Sequence, residues 1–360
     1  MNRFWSDTAR SIKPYVPGEQ PKDRIRIKLN TNENPYPPSP GVLECIRNLA
    51  NEDLRLYPDP DAVSLCETAA GYYDLSSCQV FAGNGSDEVL AFAFQAFFGP
   101  DDMIAFPDVT YSFYPVYARL YRIPYMEIPV RDDFSIDFSL YPQKLKGIVF
   151  ANPNAPTGLY ISPGEIEMLL ASRHDTLFII DEAYVDFGNV SVVPLVKKYD
   201  NLLVVQTLSK SRSLAGMRVG LAMGHPELIE AMNRIKNSFN SYTVDRLAQA
   251  AAVRAIEDDD YYRDINAKIV AERERFKKFL RDTGIPCTDS ASNFVFLTIH
   301  GVKGPDAQRL LREQGILARN FADNPRISDW IRITVGTKND MDRVAEAVKK
   351  IMEAAGETMV

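Results

Sequence analysis

Lys210 follows the apolar run LLVVQ in the stretch Thr207-Leu208-Ser209-Lys210. A lysine just past a buried strand forms imines with carbonyl compounds if its surroundings lower its pKa. Ser209 and Ser211 flank it, and Arg218 follows eight residues later between Gly216 and Gly220, a setting that suits a bound phosphate. A lone loop lysine also reads as a solvated charge. Twenty-nine residues before it, Asp181-Glu182-Ala183-Tyr184 closes the run LFIID. A carboxylate at the end of a buried strand needs a partner, because an unpaired buried anion is expensive. A protonated pyridine nitrogen is such a partner, and Tyr184, three residues on, reaches a phenolic oxygen on the same ring. Read alone, this motif is equally a turn cap.

Two further clusters follow apolar runs. Gly83-Asn84-Gly85-Ser86-Asp87-Glu88 joins a strand pattern to a helix pattern. Its amides and the helix N-terminus make an anion site. As a dinucleotide fingerprint it is broken, since Glu88 stands at the third glycine position, and a tight strand–helix turn explains it too. Asn152-Pro153-Asn154-Ala155-Pro156-Thr157-Gly158 follows GIVFA and reads by itself as a Pro/Gly turn.

Short apolar runs separated by helical patterns must hold these clusters. QVFAG, DMIAFP, IPYMEIPV, GIVFANP, TLFIIDEAY, NLLVVQTLSK and VGLAMG read as strands. Such runs indicate a mostly parallel sheet covered by helices on both faces, an α/β fold. Ligands then bind at the carboxyl ends of the strands, where the four clusters lie. After about residue 225 the texture changes. A long charged helix, DDDYYRDINAKIVAERERFKKFLRDTG, leads to the strand patterns NFVFLTIH and WIRITVG and a closing helix, a smaller α+β unit. The expected division is an N-terminal segment, 1–40, packing with the small domain, a large domain, 41–245, and a small C-terminal domain, 246–360.

Composition sets the outer limits. The chain has 360 residues and a net charge of −7, without the clustered positive charge of a nucleic-acid footprint. The four cysteines form no C-x-x-C pair, which reads as reduced thiols in a cytosolic protein. Three scattered histidines argue against a zinc site or a Ser-His-Asp triad. No signal peptide or membrane span is expected, so the location implied is the cytoplasm.

Taken together and in this order, the motifs resemble those of the fold-type I aminotransferases that depend on pyridoxal phosphate, and within them the histidinol-phosphate aminotransferases. LNTNENPYPP, LRLYPDP, GNGSDE, the TY of PDVTYSFY, NPNAPTG, DEAYVDF, TLSKSRSLAGMRVG and IRITVGT carry the resemblance over roughly residues 25 to 350. It implies amino transfer from histidinol phosphate to 2-oxoglutarate, in histidine biosynthesis. By the same resemblance Lys210 is the Schiff-base lysine, Asp181 pairs with the ring nitrogen, Tyr184 bonds the ring 3′-oxygen and Tyr111 stacks on the ring. Gly85, Ser86, Ser209 and Arg218 hold the cofactor phosphate, with Tyr57 from a second subunit of a homodimer whose active sites are composite. Asp87 counts among the cofactor-binding residues. Where the family has Asn before Pro-Thr-Gly this chain has Ala155, so either Asn154 substitutes or Tyr184 holds the 3′-oxygen alone.

One pocket must accept both a substrate phosphate and an α-carboxylate, and a guanidinium forks onto either. Arg332 is the candidate, although its alternation with Ile331 and Ile333 also fits a surface charge. Arg319, Tyr15 and Asn32 complete the expected substrate site. An L-threonine-O-3-phosphate decarboxylase and an aromatic aminotransferase are the competing activities on the same fold. A cofactor-dependent regulator would need a DNA-binding module for which the first 40 residues are too short and too Pro-rich.

Overall fold

A computed structural model of the protein describes residues 3–21 and 27–358; residues 1–2, 22–26 and 359–360 of the expected terminal units lie outside the described residues. The chain runs α1 (Asp7–Ser11), β1 (Ile27–Lys28), α2 (Pro40–Leu49), α3 (Val63–Tyr73), β2 (Val80–Gly83), α4 (Gly85–Phe97), β3 (Ile104–Pro107), α5 (Tyr114–Tyr121) and β4 (Tyr125–Ile128). It continues through β5 (Gly147–Ala151), α6 (Pro163–Ser172), β6 (Leu177–Asp181), β7 (Leu202–Thr207), β8 (Gly220–Gly224), α7 (Pro226–Phe239), α8 (Arg246–Glu257) and α9 (Asp259–Asp282). The last elements are β9 (Phe294–Leu297), α10 (Gly304–Glu313), β10 (Ile316–Leu317), β11 (Arg319–Asn320), β12 (Ile331–Thr334) and α11 (Lys338–Thr358).

Seven strands form one sheet in the order β2-β8-β7-β6-β5-β3-β4. All are parallel except β8, which runs antiparallel to both β2 and β7. The reversal has a local cause. Only one short 3-10 turn, Ala215–Met217, separates β7 from β8, so no crossover helix carries the chain back to the other end of the sheet. Residues 208–219 form a wide hairpin loop, closed by the Thr207–Gly220 pairing, and this loop carries Lys210 and Arg218.

The central strands are buried on both faces. Phe178, Ile180, Leu202 and Val204 point into one core, with α3 and α8; Ile179, Leu203 and Val205 point into the other, with α4 and α5. That alternation puts Asp181, at the end of β6, on the same face as Ile179. A three-stranded sheet, β11-β12-β9, forms a separate core with α9, α10 and α11. Ile27 of β1 belongs to that core, and β1 pairs with β10.

The cores do not divide where the sequence placed the boundary. Ala248, Ala251, Ala252 and Ala255 of α8, expected in the small unit, are buried in the large core with Leu65, Cys66 and Val42. This helix buries alanines, so it lacks the large apolar stripe that reveals a helix in sequence. Helix α9 then gives Tyr262 and Ile265 to the large core and Ile269, Phe276 and Leu280 to the small one. We propose that the boundary lies in the middle of α9. The α8 seam depends on its N-cap, where Asp245 accepts from the Ala248 amide at 2.9 Å. Asp245→Ala is expected to cost about 1 kcal/mol, read as a lower Tm with the secondary structure retained.

Candidate functional site

Lys210, Asp181 and Tyr184 all lie just past the ends of neighbouring strands, and the two strand ends are cross-tied from behind. Glu182, buried and pushed up to about 7 by desolvation, accepts from Ser191, from the Val192 amide and from Gln206 of β7. The Asp181 carboxylate is 4% exposed, accepts from the Ala183 amide at 3.1 Å and from the Tyr114 hydroxyl at 3.2 Å, and forms no ion pair among the described residues. Desolvation raises its pKa to about 6. It is an anion waiting for a cation. Sequence reading missed Tyr114, whose place in the aromatic pattern of α5 reads only as core.

The Lys210 ammonium donates to the Thr31 carbonyl at 2.9 Å, and its own carbonyl accepts from Asn34. Burial, then the nearby Arg332 charge, lowers its pKa to about 8. A substantial share of the amine is therefore neutral near pH 8, as a nucleophile requires. The Tyr184 hydroxyl accepts from the Asn32 amide at 2.9 Å, and its ring meets Phe294 edge-on at 5.1 Å. Asn32, expected to bind substrate, is instead committed to this tyrosine. Its backbone takes the left-handed conformation, with φ of 57°, and Thr334 bonds both its backbone N–H and its side-chain oxygen.

Gly85 opens α4 with φ of +79°, and a Cβ there would lie 2.5 Å from the Arg218 guanidinium. A Cβ on Gly220 would lie 2.4 Å from the Ser86 amide nitrogen. The two glycines therefore let the helix N-terminus, the Arg218 loop and β8 close into one cradle. Arg218 also reaches the Ser209 hydroxyl at 3.5 Å. Asp87, expected to touch the cofactor, accepts from the Tyr111 hydroxyl at 2.7 Å and from Arg218 at 3.1 Å. It therefore ties Tyr111 and Arg218 together.

Asn154, one of the two alternatives for the 3′-oxygen, is hydrogen-bonded within the protein. Its amide donates to the Val109 carbonyl and the Thr157 hydroxyl, and its oxygen accepts from Thr110. The Val109 and Thr110 contacts latch the 109–111 loop to the 152–158 turn, the Thr157 contact braces the turn itself, and Ala155 packs in the same core cluster as Tyr184.

Arg332 lies inside. Its guanidinium donates to the Asn30 carbonyl at 3.2 Å, its Nε is buried without a partner, and it sits 5.1 Å over the Phe294 ring. No carboxylate pairs with it among the described residues, and burial lowers its pKa. Arg319 stands directly across the β11–β12 pair from it. Like charges directly opposite on a sheet repel, so this pair calls for an anion. Arg319 also donates to the Val16 carbonyl, and Tyr15 stacks on Phe113 at 4.2 Å, 6.4 Å from Tyr111. The N-terminal segment thus lies beside both expected anion-binding groups. Tyr57 stands apart: it is 78% exposed, stacks on Tyr242, and no hydrogen bond or ring contact links it to the Lys210 cluster.

The comparisons with known proteins fit this geometry. The model of the family "Aminotransferase class I and II" matches residues 24–348. The chain belongs to that aminotransferase family. A histidinol-phosphate aminotransferase of Clostridium botulinum (strain Okra / Type B1) is 49% identical over 352 residues, covering 98% of this chain and 99% of that protein. One of Clostridium beijerinckii is 50% identical, with 98% of each chain covered. The crystal structure of histidinol-phosphate aminotransferase from Sinorhizobium meliloti, in complex with pyridoxal-5′-phosphate, superposes with a TM-score of 0.82 at 24% identity, covering 92% of both chains; it shows the common fold.

Pyridoxal phosphate fits this aminotransferase site. The glycine-lined cradle takes a phosphate, the unpaired Asp181 takes a ring cation, and Lys210 has a depressed pKa for an aldehyde. Because burial favours neutral Lys210, its protonation costs folding free energy below about pH 8, and that cost fades as pH rises from there toward the ordinary value of 10.5. Cofactor-free Lys210→Met is therefore expected to be more stable than the cofactor-free wild type below pH 8. The gap should narrow between pH 8 and 10.5 in thermal denaturation, and a gap independent of pH contradicts the assignment.

Proposed function

We propose that this enzyme moves the amino group of L-histidinol phosphate to 2-oxoglutarate, giving imidazole acetol phosphate and L-glutamate, a step of histidine biosynthesis. The observation that carries the reading is the Arg332–Arg319 pair: a buried guanidinium with no carboxylate, opposite a second cation, close enough to Lys210 to depress its pKa. Such a pair accepts either the phosphate of one substrate or the carboxylate of the other. Relatives 49% identical over nearly the whole chain bear the name of this activity.

Bound at this site, pyridoxal phosphate supplies the carbonyl that captures the substrate amine and the ring that takes up the electron pair released at Cα. The residues do the rest. Asp181 holds a proton at the ring nitrogen, and Tyr114 and the Ala183 amide hold Asp181. Arg332 and Arg319 anchor the far anionic group of the substrate and so fix which bond at Cα faces Lys210. Lys210 Nζ takes the Cα proton and gives it up again, acting as base and then acid. Tyr184, fixed by Asn32, would hold the ring 3′-oxygen.

The assay supplies histidinol phosphate and 2-oxoglutarate to the loaded enzyme and measures glutamate. Release of carbon dioxide from threonine phosphate without glutamate formation, or faster turnover of phenylalanine or tyrosine than of histidinol phosphate, refutes the substrate assignment. Asp181→Asn is expected to lower the rate by about 10³-fold while cofactor still loads through its phosphate. Arg332→Lys should lower kcat/KM by about 10- to 100-fold for both substrates alike, the worth of a charged bidentate contact.

A two-fold homodimer in the cytoplasm completes the reading. Exposed Leu56, Tyr57, Phe239 and Tyr242 support an interface, and no helix among the described residues is long and apolar enough to cross a membrane. Mixing Tyr57→Ala and Lys210→Ala chains should restore activity above either parent if Tyr57 serves the partner's site. Subunit exchange shown by mass without any gain in activity excludes that.

A further inference from the structure

A crevice of about 1000 Å³ opens between the 131–138 segment, helix α6 and the stretch around Cys287. Of the site residues discussed above, only Asn154 lines it. Its walls are aromatic and aliphatic: Phe134, Phe138, Tyr160 and Trp330, with Leu159 and Met168. Phe134 and Trp330 meet edge to face at 5.0 Å, joining the segment after β4 to the one before β12. The charged groups of the lining are one-sided, with Asp132, Asp133, Glu165 and Asp289 against Arg131 alone.

Most of these charges are already engaged. Arg131 turns to Asp137 at 3.0 Å, Asp289 to Lys277 at 2.5 Å, Glu165 closes the cap of α6 with Ser162, and Asp133 binds Ser135. Asp132 has no hydrogen bond or ion pair among the described residues. Aromatic side chains beside an exposed carboxylate that pairs with no cation among the described residues favour a positive, flat, apolar ligand.

We propose that this crevice is a second binding site, taking a small organic cation with a flat apolar body. The site is built from both parts of the chain, since Trp330 and Thr288 line it together with α6. A ligand there bridges the two cores and stabilises the folded enzyme by mass action. Asn154, which lines the crevice, also ties the loop ahead of Tyr111 through Val109 and Thr110.

Trp5 and Trp330 are the two tryptophans of the chain. Trp5 is exposed, so Trp5→Phe leaves Trp330 as the reporter. Titrating the loaded Trp5→Phe enzyme with benzyltrimethylammonium, whose quaternary nitrogen cannot condense with a carbonyl, is expected to change Trp330 emission saturably and to raise Tm. Asp132→Asn should weaken this by about two- to fivefold, the worth of one rim charge. Met168→Arg, at a position 67% exposed and therefore harmless to the core, puts a cation at the mouth and should weaken it further. The anionic 3-phenylpropionate should leave Trp330 unchanged. Non-saturating emission, equal binding of 3-phenylpropionate, or wild-type affinity in both variants overturns the proposal.

Discussion

Two buried charges of opposite sign stand without an opposite charge of their own, and the site is organised around them. Asp181 is desolvated and held only by dipoles, and Arg332 is desolvated and held by a carbonyl and two ring faces. Leaving such charges unpaired costs stability. In the proposed reading each supplies half of an interaction whose other half arrives with a ligand, a ring cation for one and an anionic substrate group for the other. Burial, then the nearby Arg332 charge, lowers the Lys210 pKa, which keeps its amine reactive.

The supporting contacts make sense in that light. Tyr114, Asn32, Asn34 and Asp87 need not touch the reacting atoms. Each hydrogen-bonds a residue of the candidate site, Asp181, Tyr184, Lys210 or Arg218, and so fixes a side chain or a loop in advance. Such preorganisation spares the ligand the entropy of ordering its own site.

The strands and their polar ends were legible because both obey short-range rules. A continuous apolar run marks a strand buried on two faces, and a lysine or aspartate just past it stands out by contrast. Side-chain direction was not legible. Asn32, Asp87 and Asn154 stand in motifs that point to ligand contact, but the motifs do not reveal the protein bonds these side chains make, to Tyr184, Arg218 and Val109. Tyr114 was hidden for the opposite reason, as an aromatic among aromatics. Helix α8 escaped because buried alanines leave no strong apolar stripe, and its packing on α2 and α3 is a tertiary fact.

Helix α9 is a single rod of 24 residues, roughly 36 Å long at helical rise. Its first turns are rooted in one core and its later turns in the other. At its N-terminal end Asp259 pairs with Arg212, two residues from Lys210, at 2.8 Å. An α-helix transmits tilt along its axis far better than it bends. One helix therefore joins the core that holds the Arg332 strand to the loop that carries Lys210, through the Asp259–Arg212 pair.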